Sequence, residues 1–377
     1  MRKFVKESGV PIGSLAVKIW DLEGDSLVAG YNTDGPLIPA SIMKSVTTAA
    51  LFDKAGADWR YHTGVYVDGP NDFGMLRGNL IVVGACDPSL HSVNEPYGTD
   101  LVEEIVEAVK NYGLNRIEGD IIIDETEFAG DCRPDSWARG DFKKYYGTGS
   151  HAFNFSNNCI GDFAVENPSE DFINLLKGRL KEENVMIDGK NLGEGRRIQI
   201  LDHISPPLDE IMRSCMMRSD NLFAECFLRT YGKLNGGDGS TAQGATYEME
   251  KWKEKRYPVE GVEIVDGSGL SRKNRMTADF MTTLLAEMSS DPTYASFFPL
   301  AGQEGTLKKF LASTELDSYI AMKTGSMNGI QCYAGYKLDD DYAPTHVVVI
   351  MMNDLPKNRD KAKKAAEKML LEIFDNS

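Results

Sequence analysis

The chain has 377 residues, 42% apolar and 26% charged, the make-up of a folded globular protein of roughly two to three domains and not of a disordered, collagenous or membrane-spanning chain. Its 41 Lys and Arg against 57 Asp and Glu leave a net charge of −16, which repels a phosphate backbone, so no nucleic-acid partner is expected. The longest apolar run near the C-terminus, Val347 to Met352, falls far short of the roughly 20 residues that cross a bilayer, and no transmembrane segment is expected.

At the start of the chain Arg2, Lys3 and Lys6 imitate the charged part of an export signal, but Glu7, Gly9, Pro11 and Lys18 interrupt anything that could be its apolar part, so no signal is read there. Ser14 to Trp20 and Ser26 to Tyr31 are β-prone runs around the turn Leu22-Glu23-Gly24-Asp25 and predict a hairpin. Just after Pro39 the spacing of Val46, Ala49, Ala50 and Leu51-Phe52 predicts a helix with Ser41 at its start. Between residues 61 and 203 strand-like stretches (Gly78 to Gly84, Ile117 to Asp124, Arg197 to Leu201) mix with helices near Leu101 to Tyr112 and Asp171 to Glu182.

After Pro206-Pro207, helices over Leu208 to Met217 and Leu222 to Tyr231 flank the polar bend Arg218-Ser219-Asp220-Asn221. Three strands follow near the end (Asp317 to Ser326, Gly329 to Leu338, His346 to Asn353), then an amphipathic helix over Pro356 to Phe374. The economical architecture is α+β. The first two and last three strands form one five-stranded antiparallel sheet, with the terminal helix on it and a helical lobe opposite. Residues 1–60 and 204–377 then make one discontinuous domain, and 61–203 an inserted α+β domain. Cys86, Cys132, Cys159, Cys215, Cys226 and Cys332 are scattered, and the five histidines are dispersed. Mostly buried free thiols are expected, with one or two disulfides as the alternative, and neither metal nor cofactor.

Three motifs occur in order on elements that suit them: Ser41-Ile42-Met43-Lys44 at a helix start, Ser219-Asp220-Asn221 at a helix-to-helix bend, and Lys323-Thr324-Gly325 on a strand leading into a turn. The first arises by chance about once in such a chain, each of the others about 0.1 times, so the joint occurrence is the signal. Residues three apart share a helix face, which brings Lys44 to the Ser41 hydroxyl. A serine needs an adjacent base to become a nucleophile, and a lysine serves only when burial or a second cation, here Lys323, lowers its proton affinity. Ser219 is placed to relay a proton to a leaving amine, and Asn221 to orient Lys44 and a substrate amide. Lys323, Thr324 and Ser326 suit a carboxylate. Backbone N–H groups of Ser41 and Ser326 are the expected oxyanion hole.

With these motifs the chain resembles the active-site serine penicillin-recognising enzymes, specifically the D-alanyl-D-alanine carboxypeptidase/endopeptidase type of low-molecular-mass penicillin-binding protein. Leu37-Ile38-Pro39-Ala40-Ser41, Gly78-Asn79-Leu80-Ile81-Val82-Val83-Gly84 with Asp87-Pro88, Asp266-Gly267-Ser268-Gly269-Leu270-Ser271-Arg272 and Gly305-Thr306-Leu307 are similar to segments of that family. The resemblance implies a transpeptidase/β-lactamase-like domain interrupted by an insertion, and an acyl-enzyme on Ser41 that releases D-alanine and is resolved by water. It also implies peptidoglycan stem peptides as substrate, β-lactams that acylate the same serine, and a periplasmic or cell-envelope location inferred from that substrate. It places Thr324, Gly325 and Ser326 in substrate binding. Asp141, in Trp137-Ala138-Arg139-Gly140-Asp141, would meet the amino end of a diaminopimelate-type side chain, with Arg272, Met327 and Asn328 as further pocket walls.

Two departures stand out. Ser41 and Ser219 are 178 residues apart, fewer than the family's usual spacing, which implies a shortened insertion. Arg139 replaces the second aromatic of the Trp137 motif. A β-lactamase or esterase on the same fold is the nearest rival, and the sequence lacks the E-x-x-L-N segment of a class A deacylating glutamate. The rival from another class is a non-catalytic binder of cell-wall peptides. Ser41 and Lys44 count against it, since a binder needs neither nucleophile nor base.

Overall fold

The computed structural model describes residues 1–92, 100–193, 195–356 and 358–374. Strands β1 (Leu15–Asp21) and β2 (Ser26–Tyr31) open a five-stranded antiparallel sheet that is completed from the other end of the chain. In chain order the labelled strands between them are β3 (His62–Val67), β4 (Leu80–Val83), β5 (Ile121–Asp124) and β6 (Ile198–Ile204). Strands β7 (Ile320–Met327), β8 (Ile330–Leu338) and β9 (Pro344–Met352) close the large sheet in the order β7-β8-β9-β1-β2, with Val17 opposite Ile350 and Lys323 opposite Ala334.

Both faces of this sheet are covered, so its central strands hold runs of consecutive buried apolar residues, such as Val347 to Met352 and Leu15 to Val17. Leu15, Val17, Ile19, Val348, Ile350 and Met352 pack with the terminal segments, while Ala16, Val347, Val349 and Met351 face the helical lobe. The terminal layer contains α1 (Arg2–Ser8), a helix not foreseen from the sequence. It is stopped by Gly9 in the left-handed conformation at φ 70° and buries Phe4.

The lobe is built around α2 (Met43–Ala55), whose residues from Met43 to Phe52 are all buried. A helix enclosed on all sides has no polar stripe to display, which is why its periodicity is weak. Between β3 and β6, α3 (Leu101–Asn111) and α4 (Pro168–Glu182) cover a second sheet of order β6-β3-β4-β5, with Val65, Leu80, Val82, Ile105, Val109, Phe172 and Leu176 in a separate core. Asp100 caps α3 by accepting from Val102 and Glu103 N–H.

Around α2 lie α5 (Leu208–Arg218), α6 (Asn221–Leu234), α7 (Thr241–Glu254) and α8 (Ala278–Met288); the last two carried no sequence assignment. The terminal helix α9 (Asp360–Phe374) packs Ala362, Ala366, Met369 and Leu370 on the sheet. All six cysteines are free, with Cys132 and Cys159 partly exposed. Among the described residues no helix is long and apolar enough to cross a membrane.

Candidate active site

Ser41 stands in a 3-10 turn, Ala40–Ile42, that runs into α2. The turn is held from two sides by backbone. A Cβ on Gly325 would lie 2.5 Å from Pro39 O and 3.1 Å from Ser41 N; one on Gly269, whose φ is +80°, would lie 1.9 Å from Ala40 O. Only glycine lets strand β7 and the 266–271 loop approach the serine this closely.

One turn along α2, Lys44 is wholly buried. Its Nζ lies 3.1 Å from Ser41 Oγ, 2.6 Å from Asn221 Oδ1 and 2.8 Å from Ser268 O. Three partners match the three hydrogens of an ammonium. They equally match a neutral amine that donates to Asn221 and Ser268 and accepts the Ser41 hydroxyl proton, the state a base requires. Burial lowers the proton affinity of Lys44, while Cys215, Glu225, Asp220 and Asp266 pull it back up.

Lys323, on edge strand β7, is also wholly buried and donates to Ser219 Oγ at 2.8 Å and Thr324 O at 2.9 Å. Burial first and then Lys44 hold its pKa well below the usual lysine range. The cation effect expected on Lys44 therefore weighs on Lys323. Ser219 sits between α5 and α6 at φ 62° and ψ 39°, a conformation uncommon for a residue with a Cβ. Asp220 caps α6 by accepting from Phe223 N–H at 3.3 Å.

These groups border a cavity of about 850 Å³ lined by Ser41, Ser219, Asn221, Thr324, Ser326, Met327, Asn328, Asp141 and Arg272 among others. Lys44, Lys323 and Gly325 lie buried beneath it. Every residue singled out from the sequence is thus at one place, with differences in detail. One hydrogen of Asn221 Nδ2, expected to face substrate, donates to Tyr146 O at 2.7 Å. Asp141 accepts from the Tyr146 hydroxyl at 3.0 Å, and Arg272 donates to Asn328 O at 3.1 Å. Trp137 is buried and donates to Asp266 Oδ2 at 2.8 Å, while Ala138 reaches the cavity wall.

Four further side chains were not assigned from the sequence. Thr306 accepts from Thr324 Oγ1 at 2.7 Å, within a tripeptide already noted. Arg359 Nη1 donates to Ser326 Oγ at 2.6 Å, Met327 O at 3.0 Å and Ile330 O at 2.9 Å, with no sequence signal to single it out. Asp266 accepts from Gly269 N and Asn274 Nδ2, and Glu225 from Gly267 N and Ser268 N. Glu225 follows Asn221 by four residues, a helical neighbour legible in hindsight. Among the described residues no three His, Cys, Asp or Glu side chains gather as a metal site would need.

Known proteins resemble this chain in sequence and in fold. The chain is 24% identical over 396 residues to a D-alanyl-D-alanine carboxypeptidase of Actinomadura sp. (strain R39), covering 81% of this chain and 72% of the relative. The crystal structure of penicillin binding protein 4 (dacB) from Haemophilus influenzae superposes with a TM-score of 0.85 at 20% identity, covering 99% of both chains. The same protein complexed with a β-lactam superposes with a TM-score of 0.77 at 18% identity and the same coverage. The profile of the D-Ala-D-Ala carboxypeptidase 3 (S13) family matches residues 5–162 and 160–374, and the chain belongs to that family.

Proposed function

We propose that the protein is a serine DD-peptidase of the cell envelope that removes the terminal D-alanine from peptidoglycan stem peptides, and that β-lactams acylate the same serine. The observation that carries this reading is the buried Lys44 amine 3.1 Å from Ser41 Oγ. Ser41 Oγ attacks the penultimate D-alanine carbonyl while its proton passes to Lys44. Ser219, held by Lys323, relays the proton taken up by Lys44 to the departing amine, leaving an ester on Ser41 that water hydrolyses. When that amine belongs to a neighbouring strand, the same steps cleave a cross-link.

Thr324 and Ser326 receive the substrate's terminal carboxylate beside Lys323, and Gly325 lets the strand lie against Ser41. Asp141, Arg272, Met327 and Asn328 form the wall that meets the stem side chain. In this reading residues 1–60 and 204–377 are the catalytic domain, and the insertion 61–203 supplies Asp141 and Tyr146 to the cavity rim. Membership of the S13 family supports the reaction class.

Intact-protein mass after incubation with benzylpenicillin, for the wild type and Ser41→Ala, tests the reading. An adduct of the drug's full mass that is absent from the variant is expected, together with D-alanine release from a stem pentapeptide. Drug hydrolysis without an adduct would assign a β-lactamase, and neither adduct nor hydrolysis a wall-peptide binder.

A further inference from the structure

Glu225 lies one helical turn beyond Asn221 on α6, wholly buried and out of contact with the cavity. Its Oε1 accepts Ser268 N–H at 2.8 Å and its Oε2 accepts Gly267 N–H at 3.2 Å. The same loop turns the Ser268 carbonyl onto Lys44 Nζ at 2.8 Å, and Thr47 Oγ1 donates to Gly267 O at 3.0 Å. Asn221 and Glu225 therefore reach Lys44 from one helix by two routes, the first directly and the second through a peptide. A buried carboxyl that clasps two adjacent N–H groups fixes the orientation of that peptide, and burial makes the arrangement costly to lose.

We propose that Glu225 is a positioning residue for Lys44: it aims the Ser268 carbonyl at the lysine and, through its charge state, sets how readily the lysine gives up its proton. The proposal rests on the reading of Lys44 as the base for Ser41. The groups facing Lys44 are Cys215 on α5, Asp220 and Glu225 at the start of α6, Asp266 on the loop, and Lys323 on β7. Those facing Glu225 are Asp266, Lys44 and, from α7, Glu248. Burial and the Asp266 carboxylate push the Glu225 carboxyl above its ordinary range. Its ionised fraction strengthens proton binding at Lys44, and its protonated fraction does not.

The test is the pH profile of benzylpenicillin acylation in the full chain for wild type, Glu225→Gln and Thr47→Val. Gln keeps one acceptor, sets an amide against the second N–H and abolishes the charge; Val loosens the same loop without changing any charge. Glu225→Gln is expected to lower the maximal acylation rate about tenfold, to change the half-saturating drug concentration less than about twofold, and to move the acid limb to lower pH. Thr47→Val is expected to lower the rate without moving the limb. If Glu225→Gln does not fold, Glu225→Asp serves: it keeps the charge at shorter reach and is expected to recover the wild-type limb at a reduced rate. A Gln variant with wild-type rate and limb, one that only mirrors Thr47→Val, or an Asp variant with the wild-type rate overturns the proposal. A wild type that benzylpenicillin does not acylate instead removes the assignment of Lys44 as base, and this proposal falls with it.

Discussion

Lys323 Nζ donates to Ser219 Oγ across 2.8 Å, joining the edge strand β7 to the bend between α5 and α6. The two residues are far apart in sequence, and the strand and the bend meet only in the folded lobe. A wholly buried amine is a costly group to keep, and here its hydrogens go to one hydroxyl and one carbonyl. Lys323→Met retains the stem and removes the charge. Acylation by benzylpenicillin is expected to fall about a hundredfold or more, because Ser219 loses the donor that orients it. The melting temperature is expected to rise by about 2–4 °C, since a buried polar amine has been replaced by an apolar chain. Calorimetry beside acylation kinetics checks both; a variant with lower stability and unchanged kinetics contradicts the assignment.

Gly325 faces backbone on the Ser41 side, where an added Cβ would lie 2.5 Å from Pro39 O. Neither partner is a flexible side chain that can swing away. Gly325→Ala is expected to push β7 off the serine turn, to cost about 1–3 kcal/mol of stability, and to slow acylation by at least about a hundredfold through displacement of the reacting groups. Thermal denaturation and adduct mass after a fixed time measure the two effects.

Arg359 binds Ser326 Oγ and two carbonyls of the β7-β8 turn through one nitrogen. With its oxygen accepting from the guanidinium, the Ser326 hydroxyl hydrogen is left to donate into the cavity. Arg359→Ala is expected to raise KM for a carboxylate-bearing stem peptide by about five- to tenfold with a smaller change in kcat, as expected when a bound hydrogen bond is loosened in ground and transition states alike. Steady-state D-alanine release provides the measurement, and an unchanged KM would leave Arg359 as a brace of the turn alone.

Glu248, wholly buried on α7, has its pKa raised from 4.5 to about 8, chiefly by burial. A folded state that holds this proton while the unfolded chain has released it loses stability as pH rises. The contribution is intact below pH 4.5, declines across the interval to about 8 and is gone above it. Glu248→Gln is expected to flatten that decline, gaining a few kcal/mol at pH 8 relative to wild type and little at pH 4. Urea denaturation at a series of pH values resolves the slope, and parallel curves for the two proteins would contradict the assignment.

The sequence was most readable where the structure is local. The i, i+3 spacing placed Lys44 against Ser41, β-prone apolar runs marked the opening hairpin and the three closing strands, and the polar tetrad marked the bend that carries Ser219. Helices α7 and α8 went unassigned. In α8 burial spreads apolar residues around most of the helix and blurs the amphipathic stripe, whereas the buried stripe of α7 is Thr241, Gly244, Ala245, Glu248 and Trp252, mostly small or polar residues that give no apolar period.

Sequence alone determined the candidate side chains, their order and the class of chemistry they suit, because Ser41 and Lys44 sit one helical turn apart and the remaining motifs are short and rare. Only tertiary structure decided how those groups are tuned. It buried both lysines, gave one hydrogen of the Asn221 amide to Tyr146, set Glu225 behind the Ser268 peptide and brought Arg359 to Ser326. Proton affinity depends on desolvation and on charges brought near from distant segments, and such distances are not encoded in any local pattern of residues.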